Sequence, residues 1–286
     1  MRFIPAPGHL AAHALGVTVL RTAQPCPVVT PAHALAIFTL VHRGALHGAA
    51  QSTHAGALVG QGSAATARVV VAGPGTVCAS LLCRASVLPL LSGEPASLFA
   101  GGAVSPALLG LDADAVQHQL GNAPSDASLA AALFDQLRRA LDAARPPRSS
   151  AVRFAAALAG WAAGSPSRQP EGWAERQWQR ACQAELGVTP VLLQRLARLH
   201  ASVRMRLANG AEPLSQHALR AGFFDQAHMA RDYRLLAGAA PRESLARAAD
   251  AATGMALGAS QLAPRFFTRW GARVVGCALS DFSKTC

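Results

Sequence analysis

The C-terminal part of the chain carries one pattern twice, and this repeat constrains the fold more than any bulk property. GWAERQWQRACQAELGVTP spans residues 172–190 and GFFDQAHMARDYRLLAGAAP spans 222–241. Each copy opens on a glycine followed by an aromatic, Gly172-Trp173 and Gly222-Phe223. With one extra residue allowed in the second turn, Trp178 aligns with Met229, Arg180 with Arg231, Cys182 with Tyr233, Gly187 with Gly238 and Pro190 with Pro241. The offset across these pairs is a constant 51 residues. The first glycine suits a turn between helices, where a positive φ is often required, and the aromatic plugs the small core beneath it. A helix of about three and a half turns follows, apolar on one face with Arg or Gln on the other. The second glycine stops that helix, and the proline three residues on starts the next one in its first turn.

Between the copies lies PVLLQRLARLHASVRMRLANG, residues 190–210. Leu192, Leu196, Leu199, Val203 and Leu207 line one side, with arginines at 195, 198, 204 and 206 elsewhere. The spacing predicts one continuous helix of about 18 residues, roughly 27 Å long. A rod of that length can hold two reading helices about one DNA turn apart, roughly 34 Å.

The first half reads differently. From about residue 30 to 86, short apolar runs such as LAIFTLVH (35–42), ARVVVAG (67–73) and VCASLLC (77–83) are divided by Gly, Pro and Ser. Runs of this length, bounded by turn residues, read as strands of a β-rich, barrel-like unit. SDASLAAALFDQLRRALDAA (125–144) then switches to helical spacing, with Leu129, Leu133, Leu137 and Leu141 on one face and Ser125 or Asp126 as N-cap. RPPRSS (145–150) reads as a linker, because consecutive prolines stop a helix. The expected fold class is α+β. Residues 1–147 form a β-rich sensing or dimerisation domain with trailing helices, 151–250 an all-α domain, and 251–286 a tail with Phe266, Phe267 and Trp270 but no usable motif.

Charge and composition narrow the function. The chain carries 26 Lys+Arg against 15 Asp+Glu, a net +11, which favours a polyanionic partner without choosing between nucleic acid and an acidic membrane. All but Lys284 of the basic residues are arginine, a bias that a GC-rich coding sequence also produces. No apolar run is long enough to span a bilayer, and prolines and histidines break up the N-terminal run that faintly resembles a signal peptide. The cysteines at 26, 78, 83, 182, 277 and 286 form no C-x-x-C pair or zinc-ligand spacing. Cys78 and Cys83 read as core residues, and a reducing cytoplasm is expected. His9, His13, His33, His42, His47 and His54 crowd the N-terminal region without a metal-ligand pattern, so neither a metal nor another cofactor is expected. No phosphate loop, G-x-S-x-G, H-E-x-x-H or paired-carboxylate motif points to an enzyme.

The stretch LSQHALRAGFFDQAHMARDYRLLAGAAPRESL (214–245) resembles the AraC/XylS-type bacterial transcription regulators. The match lies in Ala218-x3-Gly222-Phe223, Asp225-Gln226-Ala227-His228, Arg231, Tyr233 and Gly238-x2-Pro241. ERQWQR (175–180) and ELGVTP (185–190) resemble the first unit of the same domain, so the resemblance covers about 170–248. It implies two helix-turn-helix units joined by a long helix, each laying its second helix in one of two adjacent major grooves of double-stranded DNA. The base-reading residues it implies are Arg176, Gln179 and Arg180 in the first unit, and Gln226, His228 and Arg231 in the second. Arg suits guanine O6 and N7, and Gln suits adenine N6 and N7. The bland alternative for each is an ordinary solvated helix face. The N-terminal half resembles, loosely, the β-rich sensing domains of some members, which implies a small-molecule effector or a homodimer contact. RNA polymerase is a further partner the resemblance allows. One departure stands out: SPSRQPEG (165–172), with Pro166 and Pro170, replaces the first unit's opening helix, so the unit is expected either to be braced by AVRFAAALAGWAA (151–163) or to bind weakly. That departure motivates the rival reading, a helical protein-interaction module that has lost specific DNA binding.

Overall fold

A computed structural model describes residues 1–49, 51–146, 149–163, 169–209 and 212–249. The first half forms two antiparallel sheets. Strands β1 (Arg2–Pro5), β2 (Ala14–Arg21), β4 (Leu35–Arg43), β7 (Leu58–Gln61), β9 (Val77–Arg84) and β10 (Ala103–Val104) make a sheet in the order β1-β2-β9-β4-β7-β10. Strands β3 (Cys26–Thr30), β5 (Ala45–His47), β6 (Ser52–His54) and β8 (Arg68–Ala72) make the second, in the order β3-β8-β5-β6.

The strand β9 explains the architecture. Its residues are buried on both faces, which is why the sequence shows a continuous apolar run rather than an alternation. Val77, Ala79, Leu81 and Cys83 face a core with Leu129, Leu133 and Leu137 of α3 (Asp126–Ala143). On the opposite face Cys78 joins Leu20, Val41 and Ala72 under the second sheet, while Leu82 joins a core built mainly by the C-terminal helices. This is the period-2 geometry of a strand with different layers on each side. Each fully buried leucine stabilises the arrangement by roughly 1.5–3 kcal/mol.

The strands expected at 35–42, 67–73 and 77–83 are present as β4, β8 and β9, and Ser125 caps α3 by accepting from the Ser128 N–H. The strands β1 and β2 lie upstream of the expected β-rich stretch. β1 lies directly over Gly16, where any Cβ would collide with the Ile4 carbonyl and the Phe3 ring. Two short helices, α1 (Val87–Ser92) and α2 (Ala113–Leu120), precede α3. The C-terminal part is helical: α4 (Ser149–Ala163), α5 (Glu175–Leu186), α6 (Pro190–Asn209), α7 (Leu214–Arg220), α8 (Gln226–Ala237) and α9 (Pro241–Ala249). The connecting helix α6 has 20 residues and buries Leu193, Leu196, Leu199 and Val203, whereas Leu192 is only partly buried. Part of the 145–150 linker, residues 165–168 of the proline stretch, and the tail at 251–286 lie outside the described residues.

Candidate nucleic-acid interface

The two copies of the repeat fold alike. Helices α5 and α8 are each 12 residues long, and both their first and last residues are offset by 51. Both follow a positive-φ glycine, Gly172 at φ 77 and Gly222 at φ 81, and both end on left-handed glycines, Gly187 at φ 68 and Gly238 at φ 76. Pro190 and Pro241 open the helices that follow. The aligned pairs Trp178/Met229 and Cys182/Tyr233 are all buried in one shared core. In the second unit Asp225 caps α8, its carboxylate accepting from the His228 N–H at 2.5 Å, and Phe223 is buried beneath the turn.

The first unit lacks such a side-chain cap and is braced by aromatics. Phe154 of α4 lies 5.1 Å from the Trp178 ring centroid, Trp173 meets Trp178 edge-on at 5.6 Å, and the Arg153 guanidinium stands 5.8 Å over Trp173. The segment 151–163 therefore supports the first unit, as its sequence led one to expect.

The outward faces are free to meet a ligand. Arg176, Gln179, Arg180, Gln226 and Arg231 are exposed, and among the described residues none of these side chains makes a hydrogen bond or ion pair. His228 differs: it is half-buried, its Nδ1 accepts from the Phe224 N–H at 3.3 Å, and its ring meets Phe223 edge-on at 5.6 Å. It shapes the turn. At ~100° per residue, Arg176, Gln179, Arg180 and Gln183 share one stripe of α5, and the matching stripe of α8 holds Ala227, Ala230, Arg231 and Arg234. Of the residues singled out from sequence, only Arg180 and Arg231 occupy equivalent positions. Gln183 and Arg234, one turn further along the same stripes and both exposed, were passed over; the 51-residue offset alone would have found them. Phe224, 84% exposed beside Gln226, was also missed.

Behind α8 is a polar brace that composition does not announce. Asp232, 4% exposed, accepts on Oδ1 from Arg195 Nε at 3.0 Å and Nη2 at 2.8 Å, and Arg198 Nη2 lies 3.7 Å from its Oδ2. Two arginines of α6 are thereby committed to holding α8. Deeper in, Ser202 Oγ lies 2.8 Å from His217 Nε2 and 2.7 Å from the Tyr233 hydroxyl, while His217 Nδ1 lies 2.8 Å from Glu212 Oε1. The Glu212 carboxyl is held below the usual carboxylate range by its bond to His217 and then by Arg220. Ser, His and Glu in that order match a nucleophilic triad. Here both Ser202 and His217 are fully buried and the serine is also tied to a tyrosine, so the chain of bonds fastens α6, α7 and α8 together.

The N-terminal sheets touch both units at the same structural point. The Ala32 N–H donates to the Leu236 carbonyl at 2.7 Å and the Ala67 N–H to the Leu235 carbonyl at 3.0 Å, both at the C-terminus of α8. The Ser63 hydroxyl donates to the Gly187 carbonyl at 3.1 Å, at the C-terminus of α5. These bonds satisfy carbonyls that a helix end otherwise leaves open. Among the described residues no group of three or more His, Cys, Asp or Glu could hold a metal ion, and no helix is long and apolar enough to cross a membrane.

Residues 171–247 match the family model described as a helix-turn-helix domain. No match is found among curated protein sequences. Among solved structures, the chain is similar to ToxT from Vibrio cholerae, with TM-score 0.40 and 11% identity over 80% of this chain and 97% of that one. A second is the crystal structure of unsaturated fatty acid bound wild-type ToxT, with TM-score 0.38 and 12% identity over 82% and 95% of the two chains.

Proposed function

We propose that the chain is a sequence-specific transcription regulator that lays α5 and α8 in adjacent major grooves of double-stranded DNA. The observation that carries this is the pair of 12-residue helices, alike in their C-terminal glycine caps and buried positions, whose outer stripes bear Arg and Gln side chains unpaired among the described residues. In this reading Arg176, Gln179 and Arg180 read bases in the first unit and Gln226 and Arg231 in the second, with Gln183 and Arg234 extending the two stripes. His228 contributes by fixing the turn, and Phe224 offers an apolar surface for a thymine methyl group. The connecting helix α6, about 30 Å long by its 20 residues, is close to one turn of DNA. Residues 1–147 act as a regulatory domain and 151–250 as the reader. Through its hydrogen bonds to both reading helices, the regulatory domain biases DNA binding when it takes up a ligand or pairs with a second copy.

The test is a titration of purified protein on DNA flanking its own gene against unrelated DNA, at two salt concentrations. Specific reading predicts a preference of at least ~10³-fold that persists at the higher salt. Equal, salt-sensitive binding to both fragments, with and without extracts containing small molecules, would leave only attraction between arginines and phosphates.

A further inference from the structure

On the rim of the N-terminal domain, away from the helices just described, lies a cleft of about 110 Å³ lined by Arg21, His42, Arg43, Val77, Asn122, Ala123 and Pro124. We propose that it binds a small oxyanion, a phosphate or a carboxylate, between the guanidinium groups of Arg21 and Arg43. This goes beyond the DNA-reading proposal and stands or falls separately from it.

The sheet register builds the site. Val77, at the start of β9, pairs with Arg21 on one side and with Arg43 on the other. Cross-strand partners present their side chains on the same face, so the two arginines flank one buried valine with Cα atoms roughly 10 Å apart. That span lets both side chains close over a small ligand. A break in register between Val41 and Arg43 leaves His42 as an extra residue. Its Nδ1 reaches Gln117 Oε1 of α2 at 3.1 Å, which places the ring on this same helix-covered face. Bulges are a recognised way of re-aiming a side chain beside a binding site.

The arginines are fixed but not used up. Arg21 Nε donates to Asp126 Oδ1 at 2.7 Å and its Nη2 to the Pro124 carbonyl at 2.6 Å. Arg43 Nη2 donates to the Asn122 carbonyl at 3.0 Å, and among the described residues Arg43 has no carboxylate partner. Most of its planar fork remains open, and that fork matches the geometry of a carboxylate or phosphate. Among the described residues Asp126 is the only acidic one bonded to the lining, and it is committed to Arg21. The anchoring bonds reach the loop that leads into α3, so an anion held here would tie β2 and β4 to the entry of that helix.

The experiment is isothermal titration of the full chain with sodium phosphate and, separately, with sodium succinate, each against sodium chloride at matched ionic strength. The expected result is saturable binding of one or both, with the stronger arm naming the oxyanion class. Arg43→Gln should weaken that binding by about tenfold or more, the loss expected of a charge-assisted hydrogen bond. Arg145→Gln, beyond the far end of the 18-residue α3, should bind as the unaltered chain does. Arg43 is exposed, so its variant should unfold at an unchanged temperature in chloride. Absence of saturation by either anion up to tens of millimolar overturns the proposal, as does an Arg43→Gln variant that binds like the parent chain.

Discussion

Arg180 and Arg231 occupy the same position in the two copies, and substituting each by alanine, singly and together, tests the DNA-reading proposal most directly. Both are exposed and neither makes a hydrogen bond or ion pair among the described residues, so neither substitution should shift folding stability beyond about 0.5 kcal/mol. Any loss of binding is then a loss at the DNA. A bidentate arginine–guanine contact is worth roughly 1–3 kcal/mol, so each single variant should bind its target about 30-fold more weakly, taking ~2 kcal/mol. The two sites lie on separate helices joined by the 20-residue α6 and share no partner, so their effects should add. The double variant should then lose about 10³-fold, which is the whole specificity margin of a modest regulator. Fluorescence anisotropy on target and unrelated DNA at one fixed salt concentration reads both numbers, with thermal unfolding as a check on the fold. If the double variant keeps its preference for the target, the two stripes are not the reading surface; if the unaltered chain shows no preference either, the interaction-module reading takes their place.

Ser202→Ala removes the shared partner of two buried groups, His217 and Tyr233, and should destabilise the chain by about 2–4 kcal/mol in urea unfolding. Gly187→Ala should lower the unfolding temperature more than Gly238→Ala. Both need positive φ, but a Cβ at Gly187 would stand 2.7 Å from Ser63 Oγ and 2.8 Å from the Ala96 carbonyl, against 3.1 Å from the nearest atom at Gly238. His33, 3% exposed, has its pKa lowered from 6.5 to about 4 by burial and then by Arg68. Because the unfolded chain takes up that proton first, its contribution of about 3 kcal/mol is full above pH 6.5 and is lost as pH falls towards 4. His33→Gln should flatten that part of a stability–pH profile, whereas an unchanged slope would assign the loss to other groups.

The repeat was legible because helix caps and buried positions leave marks in the local sequence: glycine, proline and apolar residues at fixed spacing. The strands β4, β8 and β9 were legible for the same reason, as short apolar runs between turn residues. The strand β2 was not. Its burial depends on pairing with β9, some sixty residues away, and prolines and histidines just upstream of it obscure any local periodicity. The Arg195–Asp232 bond is of the same kind: in sequence Arg195 is one arginine among several on α6, and only the packing of α6 on α8 buries its partner. The cleft between Arg21 and Arg43 also arises from register, since nothing near either residue in sequence indicates that both flank Val77.

The bonds from Ala32, Ala67 and Ser63 have a geometric consequence. Helices α5 and α8 are each gripped at the C-terminal end by the same N-terminal domain, while α6 joins the two units between them. The distance between the helices is therefore set twice, once by the rod and once by the sheets, as in a calliper with a locked screw. If the two helices read DNA as proposed, an operator whose half-sites match that setting is bound with the lock closed. One spaced or twisted differently must first open a bond to Leu235, Leu236 or Gly187 and leave a carbonyl bare. By reciprocity, whatever loosens the sheets widens the range of half-site spacings the chain accepts, and DNA of the wrong spacing should loosen the sheets in turn.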